Sequence, residues 1–428
     1  MIWTLSISGR HSRRISRSRG TLWEKQDPKT SYTLVGDKTF PRYDIIILTV
    51  IKTAIEGRRK PNPKHHNMFN LFGEKGKLGI DIGTAAIKIV ELEKSGGRFT
   101  LKNYGLFELK STDVQSSGSG TGQSILKLPD QEIIWGLKEL IKKGNIKSTD
   151  AIASIPSFST FATIIEMPYL SEQELAKALP FEARKYIPIP LSEVILDWSI
   201  IDISSPASPR SPGSAPKPTT VQVFLAAVPR DETEKYKRIM KGAGLNLKAL
   251  ELENTALIRA LLGNDLSPTA IVNIGGRSTS IVIVNKGYER VSHNYEIGGF
   301  EITKSIARSL NVSIEKAEEL KRKMGMKEAD ENIVNEAMVS LIDMMVFETK
   351  KTISNYESSK NQKIARVLLV GGLTNMPSFV NYFKQKLNMD VYGANAFARI
   401  IYPESLKPII QELANAFSIA AGLAMRDI

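Results

Sequence analysis

The stretch Leu78-Gly79-Ile80-Asp81-Ile82-Gly83-Thr84-Ala85-Ala86-Ile87-Lys88 decides how this chain folds. It begins as an apolar run, breaks at Gly83 and Thr84, and resumes as a second run of the same kind. This pattern predicts two antiparallel strands joined by a tight turn. Because glycine lacks a Cβ and consecutive N–H groups form a concave surface, such a turn can hold a phosphate group.

A second stretch of the same design lies far downstream and reads Ala270-Ile271-Val272-Asn273-Ile274-Gly275-Gly276-Arg277-Ser278-Thr279-Ser280-Ile281. Either stretch by itself also fits an ordinary buried hairpin, in which glycine serves only the turn. Together they predict two turns that grip one polyphosphate from opposite sides. Asp81 and Asn273 come just before the turns, where oxygen ligands could serve a divalent cation, and Lys88 follows the first turn as a candidate phosphate partner.

A third glycine segment reads Val367-Leu368-Leu369-Val370-Gly371-Gly372-Leu373-Thr374-Asn375-Met376-Pro377-Ser378-Phe379. It predicts a buried strand, a turn at the two glycines, and an amphipathic helix whose first turn contains Pro377 and Ser378. Such a turn lets a flat ligand lie against the backbone, although many α/β proteins contain one.

In this order, the three segments resemble those of the actin-like ATPase superfamily. Within it, the chain is similar to the PilM family of type IV pilus assembly proteins, relatives of the division protein FtsA. The likeness spans residues 68–428 and also rests on the stretches at 68–73, 167–175, 181–191 and 416–426. It implies an α/β fold, the actin-like ATPase fold, with two ribonuclease-H-like halves around a nucleotide cleft and an inserted subdomain of the FtsA and PilM type.

For the cleft, the resemblance implies ATP and Mg²⁺ as cofactors. Asp81 would hold Mg²⁺, mainly through water, and is the candidate catalytic residue. The other implied contacts are Gly83, Thr84, Ala85 and Lys88 for the β- and γ-phosphates; Asn273, Gly275, Gly276, Ser278, Thr279, Gly298 and Gly299 for the opposite side; Glu318 and Lys321 for ribose and base; and Gly371, Gly372 and Leu373 for adenine. Without the resemblance, Glu318 and Lys321 fit a solvated charged helix face at least as well.

One position departs from the superfamily. Many actin-like ATPases carry aspartate where this chain has Asn273, and an amide adds no negative charge and is a poor base. No histidine or glutamate was found in the sequence to compensate, and His293 is predicted to be a strand residue. Because phosphoryl transfer depends on positioning water and neutralising charge, we expect ATP binding with slow or negligible turnover.

The run Tyr186-Ile187-Pro188-Ile189-Pro190 admits two interpretations, a helix stop anchored in the core or part of an apolar groove for an extended peptide. In the PilM family the implied partner is the N-terminal cytoplasmic peptide of a PilN-type inner-membrane protein, with Tyr186, Ile187 and Pro188 as contacts. The resemblance further implies other pilus assembly components as partners and admits self-association. It places the protein in the cytoplasm, held at the inner face of the inner membrane through its partners.

Charge separates the first 67 residues from the rest of the chain. They hold 14 Lys/Arg and 5 Asp/Glu, out of 58 and 45 in the whole chain, whose net charge is +13. A basic arm could touch nucleic acid or anionic lipid. The preferred interpretation is that Met68 is the natural start and that 1–67 is a disordered or mis-called extension, so no nucleic-acid partner is expected. The chain has no cysteine, which excludes a disulfide framework.

Composition and pattern divide the chain into consecutive units. The predicted units are the extension 1–67, a first half at 68–150, an inserted subdomain at 151–245, a return to the first half at 246–262, a second half at 263–394 with an insertion at about 300–362, and a closing helix of the first half at 395–428.

Two other functions remain open at this stage. A small-molecule kinase could use the same fold, but it needs a catalytic aspartate above a substrate cleft, which cannot be placed in this sequence. An FtsA-like membrane-associated division filament would carry an amphipathic helix after a linker, whereas this chain ends at Asp427-Ile428, directly after its predicted closing helix.

Overall fold

The computed structural model describes residues 76–109, 129–204, 219–327 and 333–427, together with the backbone of short strands at 23–24, 32–36 and 43–48. The first half is built on a mixed sheet in the order β1-β2-β3-β6-β5-β4-β7-β11, with β17 beside β6. Its strands are β1 Trp23–Glu24, β2 Tyr32–Gly36, β3 Tyr43–Leu48, β4 Lys77–Ile82, β5 Ala86–Ser95, β6 Arg98–Leu109, β7 Asp150–Ile155, β11 Asn246–Leu252 and β17 Ile400–Ile401.

Helices cover both faces of this sheet. They are α1 Asp130–Lys143, α3 Arg230–Gly242, α4 Glu253–Leu261, α9 Ile410–Ala416 and α10 Ser418–Ala424. Strand β5 shows why both faces are covered: Ile87 and Ile89 pack against α1 and α3, whereas Val90 and Leu92 pack against the closing helices. Successive side chains of a strand point to opposite faces, so these two pairs of apolar residues bury both faces of β5.

Strands β1 to β3 lie within the basic stretch 1–67. Strand β3 pairs antiparallel with β6, from Tyr43 opposite Leu109 to Ile46 opposite Leu106. The remainder of that stretch lies outside the described residues, and its interpretation as an extension stays a prediction.

The inserted subdomain is a three-stranded antiparallel sheet in the order β8-β10-β9, with one helix packed on it. Its elements are β8 Phe161–Pro168, α2 Glu172–Ala183, β9 Val194–Ser204 and β10 Thr220–Pro229. Ser171 and Glu174 form a capping box that begins α2. The predicted bounds 151–245 are wider than this unit, because β7 pairs with β4 and β11 in the first sheet and α3 packs on that sheet.

The second half has a five-stranded sheet in the order β14-β13-β12-β15-β16, covered by helices. Its elements are β12 Thr269–Ile274, β13 Thr279–Asn285, β14 Tyr288–Tyr295, α5 Gly299–Leu310, α6 Ile314–Met324, α7 Ile333–Lys360, β15 Arg366–Val370, α8 Phe379–Leu387 and β16 Val391–Gly393. Helices α5, α6 and α7 lie between β14 and β15, and the insertion at about 300–362 stays a prediction.

Helix α10 makes close backbone contact with α4 and with β4 in the first half. A Cβ built at Gly422 would overlap the carbonyl oxygen of Ala256, and one built at Gly79 would overlap that of Ala420. The small residues of the closing run therefore let α10 lie between β4 and α4, since larger side chains would push these backbones apart. No helix within the described residues combines the length and apolar character that a membrane span requires.

Candidate functional site

The first turn is closed by a hydrogen bond from the Gly83 N–H to the carbonyl oxygen of Ala86, at 2.9 Å. Asp81 lies at the end of β4 and is only 2% exposed. Its carboxylate accepts hydrogen bonds from Lys88 Nζ and Ser154 Oγ, both at 3.2 Å. Lys88 therefore forms an ion pair with Asp81, between the two strands that the first turn joins.

The second turn repeats this geometry, with the Gly275 N–H donating to the Ser278 carbonyl oxygen at 2.9 Å. The two turns face each other, because a Cβ built at Gly276 would lie 2.7 Å from the Cβ of Ala85. Asn273 is half-buried at the end of β12. In the described part of the chain, no acceptor lies within hydrogen-bond distance of the N–H groups at the two turn tips, which belong to Thr84, Ala85, Gly276 and Arg277. Two facing sets of unbonded amides are an arrangement that can bind an anion.

Gly298 precedes α5 and Gly299 is its first residue, and both lie against the second turn. The N–H of Gly299 donates to the Gly275 carbonyl at 3.0 Å, and that of Phe300 donates to Gly276 at 2.8 Å. The sequence predicts that the N–H groups of both glycines favour phosphate. In the structure the N–H of Gly299 is not available to a phosphate, because it is already hydrogen-bonded to the second turn. A Cβ at Gly298 would lie 2.7 Å from the Arg277 nitrogen, so this glycine permits the close approach.

Glu318 and Lys321 form a buried network and not a solvated helix face. Lys321 is 7% exposed, and its Nζ donates to Gly299 O at 3.0 Å, Thr303 Oγ1 at 2.8 Å and Glu318 Oε2 at 2.6 Å. Burial lowers the pKa of Lys321, and the Glu318 carboxylate opposes that shift. Although burial acts to raise it, the charges of Lys321 and Arg322 lower the pKa of Glu318 to about 2. The network fixes α6 to the start of α5, next to the second turn.

The third glycine turn packs against the end of β12. Gly371 has φ +101°, and a Cβ there would overlap the carbonyl oxygen of Ile274. By contrast, a Cβ at Gly372 would meet nothing within 4 Å, so this side of the turn is open. Leu373 is buried in the core of the second half beneath the turn. The Met326 N–H, just after α6, donates to Pro377 O at 2.8 Å, which holds the end of α6 beside the same loop.

The structure adds Glu253, which was not identified from the sequence. This half-buried residue begins α4, and its Oε2 accepts from the Ser157 N–H at 3.4 Å. Burial, followed by the charge of Asp81, raises the pKa of Glu253 to about 8, while Ser157 and Lys88 act in the opposite direction. No glutamate was identified from the sequence to compensate for Asn273, and the structure brings the Glu253 carboxyl group close enough to Asp81 for their charges to interact. The sequence feature that could have identified Glu253 is its position directly after β11, where a strand is followed by a helix.

The residues predicted to contact a partner peptide divide into two groups. Tyr186 is 42% exposed and Pro188 is also exposed, whereas Ile187 is 6% exposed and belongs to the core of the inserted subdomain. Ile187 thus corresponds to the core-anchoring interpretation. Phe181 and Ile189 are also exposed, and we call Phe181, Tyr186 and Ile189, which lie in the last turns of α2 and the segment after it, the α2 patch.

His293 lies in β14, as predicted, and its Nε2 is 3.2 Å from Glu348 Oε2. Within the described residues, no group of three or more histidine, aspartate or glutamate side chains is arranged to hold a metal ion. A cation bound at this cleft would therefore need further oxygen ligands from the nucleotide or from water.

Comparison with known proteins places the chain in a family. The family model described as type IV pilus assembly protein PilM matches residues 79–428. The chain belongs to the PilM family. The fold is that of the actin-like ATPases, and both the family and the fold class predicted from the sequence are confirmed.

Two curated relatives of this PilM-family chain are cell division proteins. FtsA of Enterococcus faecalis is 20% identical over 359 residues, which cover 74% of this chain and 78% of FtsA. FtsA of Bacillus subtilis is 28% identical over 149 residues, covering 33% and 34% of the two chains. Among solved structures, the PilM-PilN type IV pilus biogenesis complex aligns with a TM-score of 0.66 and 22% identity, over 82% of this chain and 98% of that one.

Proposed function

We propose that this PilM-family protein is an ATP-binding scaffold of the type IV pilus assembly machinery. It binds the N-terminal peptide of a PilN-type inner-membrane protein and hydrolyses ATP slowly or not at all. The observation that carries the nucleotide part is the contact between the two turns, with unbonded N–H groups on both sides of one gap.

The residues around the gap fit ATP and Mg²⁺. The turn amides and Lys88 supply donors for the phosphates, and the open side of Gly372 gives the base a flat backbone surface. Asp81 would hold Mg²⁺ through water, and Glu253 adds a second carboxyl group nearby. Bound Mg²⁺ would supply charge neutralisation for the triphosphate. One or two carboxylates are the usual protein contribution to such a site.

Slow hydrolysis follows from the protonation state of the cleft. Asn273 carries no charge, so the second half contributes no base at that position. Burial raises the pKa of Glu253 to about 8, which disfavours the ionised form that could accept a proton from water as long as no cation lies beside it. Asp81 is paired with Lys88. We therefore expect turnover below about 1 s⁻¹, the low end of typical enzyme rates.

The α2 patch supports the partner role. Phe181 is 69% exposed and Tyr186 and Ile189 are exposed near it in sequence, while Arg184 lies over the Phe181 ring at 5.6 Å. Exposed aromatic side chains are common anchors at interfaces. The solved complex of PilM with PilN indicates the kind of partner to test. Through that partner the protein would be held at the inner membrane.

A titration of the purified protein with PilN-type N-terminal peptides, with and without Mg-ATP, tests the scaffold role. We expect saturable binding of the peptide and, in a separate calorimetric titration, binding of ATP. Absence of peptide binding in both nucleotide states would contradict the scaffold role. Absence of heat from any adenine nucleotide would contradict the cleft assignment, and turnover well above 1 s⁻¹ would contradict the proposal of slow hydrolysis.

A further inference from the structure

The positively charged side chain of Arg277 lies at the tip of the second turn. It is half-buried, and within the described residues no carboxylate lies at ion-pair distance from it. Glu301, whose charge acts on it, is itself paired with Lys304 at 2.6 Å. Burial lowers the pKa of Arg277, and the charge of Glu301 acts in the opposite direction. Partial burial of a charged group costs free energy unless a group of opposite charge binds to it.

Stacking holds the guanidinium at the turn. Its Cζ lies 5.0 Å from the centre of the Phe300 ring. The Phe300 N–H in turn donates to the carbonyl oxygen of Gly276, which fixes the ring to the same turn. Among the described residues, none of its side-chain N–H groups makes a hydrogen bond, so these donors stay available. That planar set of donors matches the oxygens of a phosphate group.

The position of Arg277 in the cleft indicates which phosphate it would meet. Gly371, in the proposed adenine turn, packs against Ile274, before the second turn begins. Gly276 and Arg277 form the tip of that turn, opposite Ala85. A nucleotide whose base lies at Gly371 and Gly372 would therefore extend its phosphates toward the tip. At the tip, the amides are joined by one positive side chain, which makes no ion pair with a carboxylate in the described part of the chain.

We propose that Arg277 binds the terminal phosphate of the nucleotide and makes this cleft prefer a nucleoside triphosphate to a diphosphate. This inference rests on the proposed nucleotide site. It assigns to the second turn a charge that Asn273 does not provide, and it makes Arg277 a specificity-determining residue.

The test compares the affinities of the full chain for ATP and for ADP by calorimetry, both with Mg²⁺. In R277Q we expect ATP affinity to fall by on the order of tenfold or more, the loss typical of a charged hydrogen bond, with ADP affinity nearly unchanged. R277K should lie between the two, since lysine keeps the charge but loses the planar donors. The double variant E301Q/K304Q is the matched control, because it removes the neighbouring ion pair, whose Lys304 Nζ lies over the same ring at 5.0 Å, without leaving an unpaired carboxylate beside Arg277. We expect this variant to bind both nucleotides as the unmodified chain does.

Each alternative outcome has a distinct meaning. If R277Q and R277K lose ATP and ADP affinity equally, Arg277 only holds the turn to α5, and the inference is wrong. If neither variant changes the ratio of the two affinities, it is also wrong, while the proposed nucleotide site stands. If the unmodified chain binds neither nucleotide, the proposed site and this inference fail together. Should R277Q not fold, R277K alone decides between these results.

Discussion

Ala85 and Gly276 lie in contact across the gap between the two halves of the molecule, so that a Cβ at Gly276 would come within 2.7 Å of the Cβ of Ala85. Real Cβ atoms do not approach so closely, and one of the two turns would have to move. This contact brings together two hairpins that belong to different sheets. The gap beside it is where we place the phosphates.

The first prediction concerns this contact. Gly276→Ala should push the turns apart and weaken ATP binding by on the order of tenfold, because the turn amides could no longer reach the same phosphates together. Since Ala85 is the only neighbour within 4 Å of the added Cβ among the described residues, the double variant G276A/A85G should recover most of the affinity. Calorimetric titration of the single and double variants with ATP measures both affinities. Failure of the second substitution to restore binding would show that the contact is not responsible.

The second prediction concerns the junction between α10 and α4. Gly422→Ala should destabilise the protein by about 1–3 kcal/mol or more, because its Cβ would overlap the carbonyl oxygen of Ala256. Gly393→Ala serves as the control, since its nearest neighbour is Thr374 Cγ2 at 3.5 Å, an ordinary contact. Urea unfolding of both variants gives the comparison. Equal stability of the two would contradict the close packing of α10.

The third prediction separates Tyr186 from Ile187. Tyr186→Ala should weaken binding of a PilN-type peptide while leaving stability nearly unchanged, because the ring is exposed. Ile187→Ala should instead lower the free energy of unfolding by about 2–5 kcal/mol, as a cavity-forming core substitution. Peptide titration and urea unfolding are both measured on each variant. Unchanged peptide affinity in Y186A would remove Tyr186 from the proposed partner site.

The fourth prediction is a dependence of stability on pH. Glu318 has its pKa lowered from 4.5 to about 2 in the folded protein, so its ionised form stabilises the fold at pH values above 4.5. That stabilisation is lost as the pH falls from about 4.5 toward 2, because the carboxylate becomes protonated in both states. The difference in free energy of unfolding between the unmodified chain and Glu318→Gln should therefore be largest near neutrality and shrink below about pH 4.5.

Glu319→Gln is the control for this experiment, since Glu319 is exposed on the same helix and pairs only with Lys316. An exposed pair of this kind contributes at most about 1 kcal/mol. A difference for E318Q that does not change between pH 7 and pH 3 would contradict the role assigned to the network.

The fifth prediction concerns the contact between the inserted subdomain and the second half. Lys286 Nζ lies 2.7 Å from Asp202 Oδ2, and Arg290 Nη1 donates to Gln222 Oε1 at 3.0 Å. Closure of the halves on a nucleotide would act on the inserted subdomain through these bonds. Lys286→Glu should change stability by less than about 1 kcal/mol, because the pair is partly exposed. The same variant should reduce any effect of Mg-ATP on peptide affinity.

The charge-swapped variant K286E/D202K restores an opposite-charge pair and should restore the effect of Mg-ATP. Peptide titrations with and without Mg-ATP measure it in both variants. If K286E keeps the full nucleotide effect, these bonds do not connect the two sites.

Local patterns in the sequence were sufficient for the elements of the cleft. The runs that flank Gly83 and Gly275 predict hairpins, and both hairpins form with the same closing hydrogen bond. Gly371 marks the third turn because its φ of +101° suits glycine and few other residues. These are properties of consecutive residues, so periodicity and glycine positions reveal them.

Other features could not be found in this way. Glu253 was missed because its neighbours in the cleft, Asp81 and Ser157, are distant in sequence, and the burial that raises its pKa exists only in the folded chain. The bounds of the inserted subdomain were misplaced because the run at 150–155 predicts a strand but not which sheet it joins. Ile187 and Tyr186 are adjacent and both apolar in part, yet packing buries one and exposes the other.

The sequence by itself determined the family, the order of the strands and helices, and the three glycine turns, since each depends on residues close together along the chain. Only the tertiary structure decided that Ala85 meets Gly276, that Glu253 joins Asp81, and that Lys321 is buried against Thr303. The physical reason is that each relationship depends on tertiary packing. The two sheets pack around α4 and α10, and α6 packs on α5. Distances and electrostatic interactions between remote residues exist only after that packing.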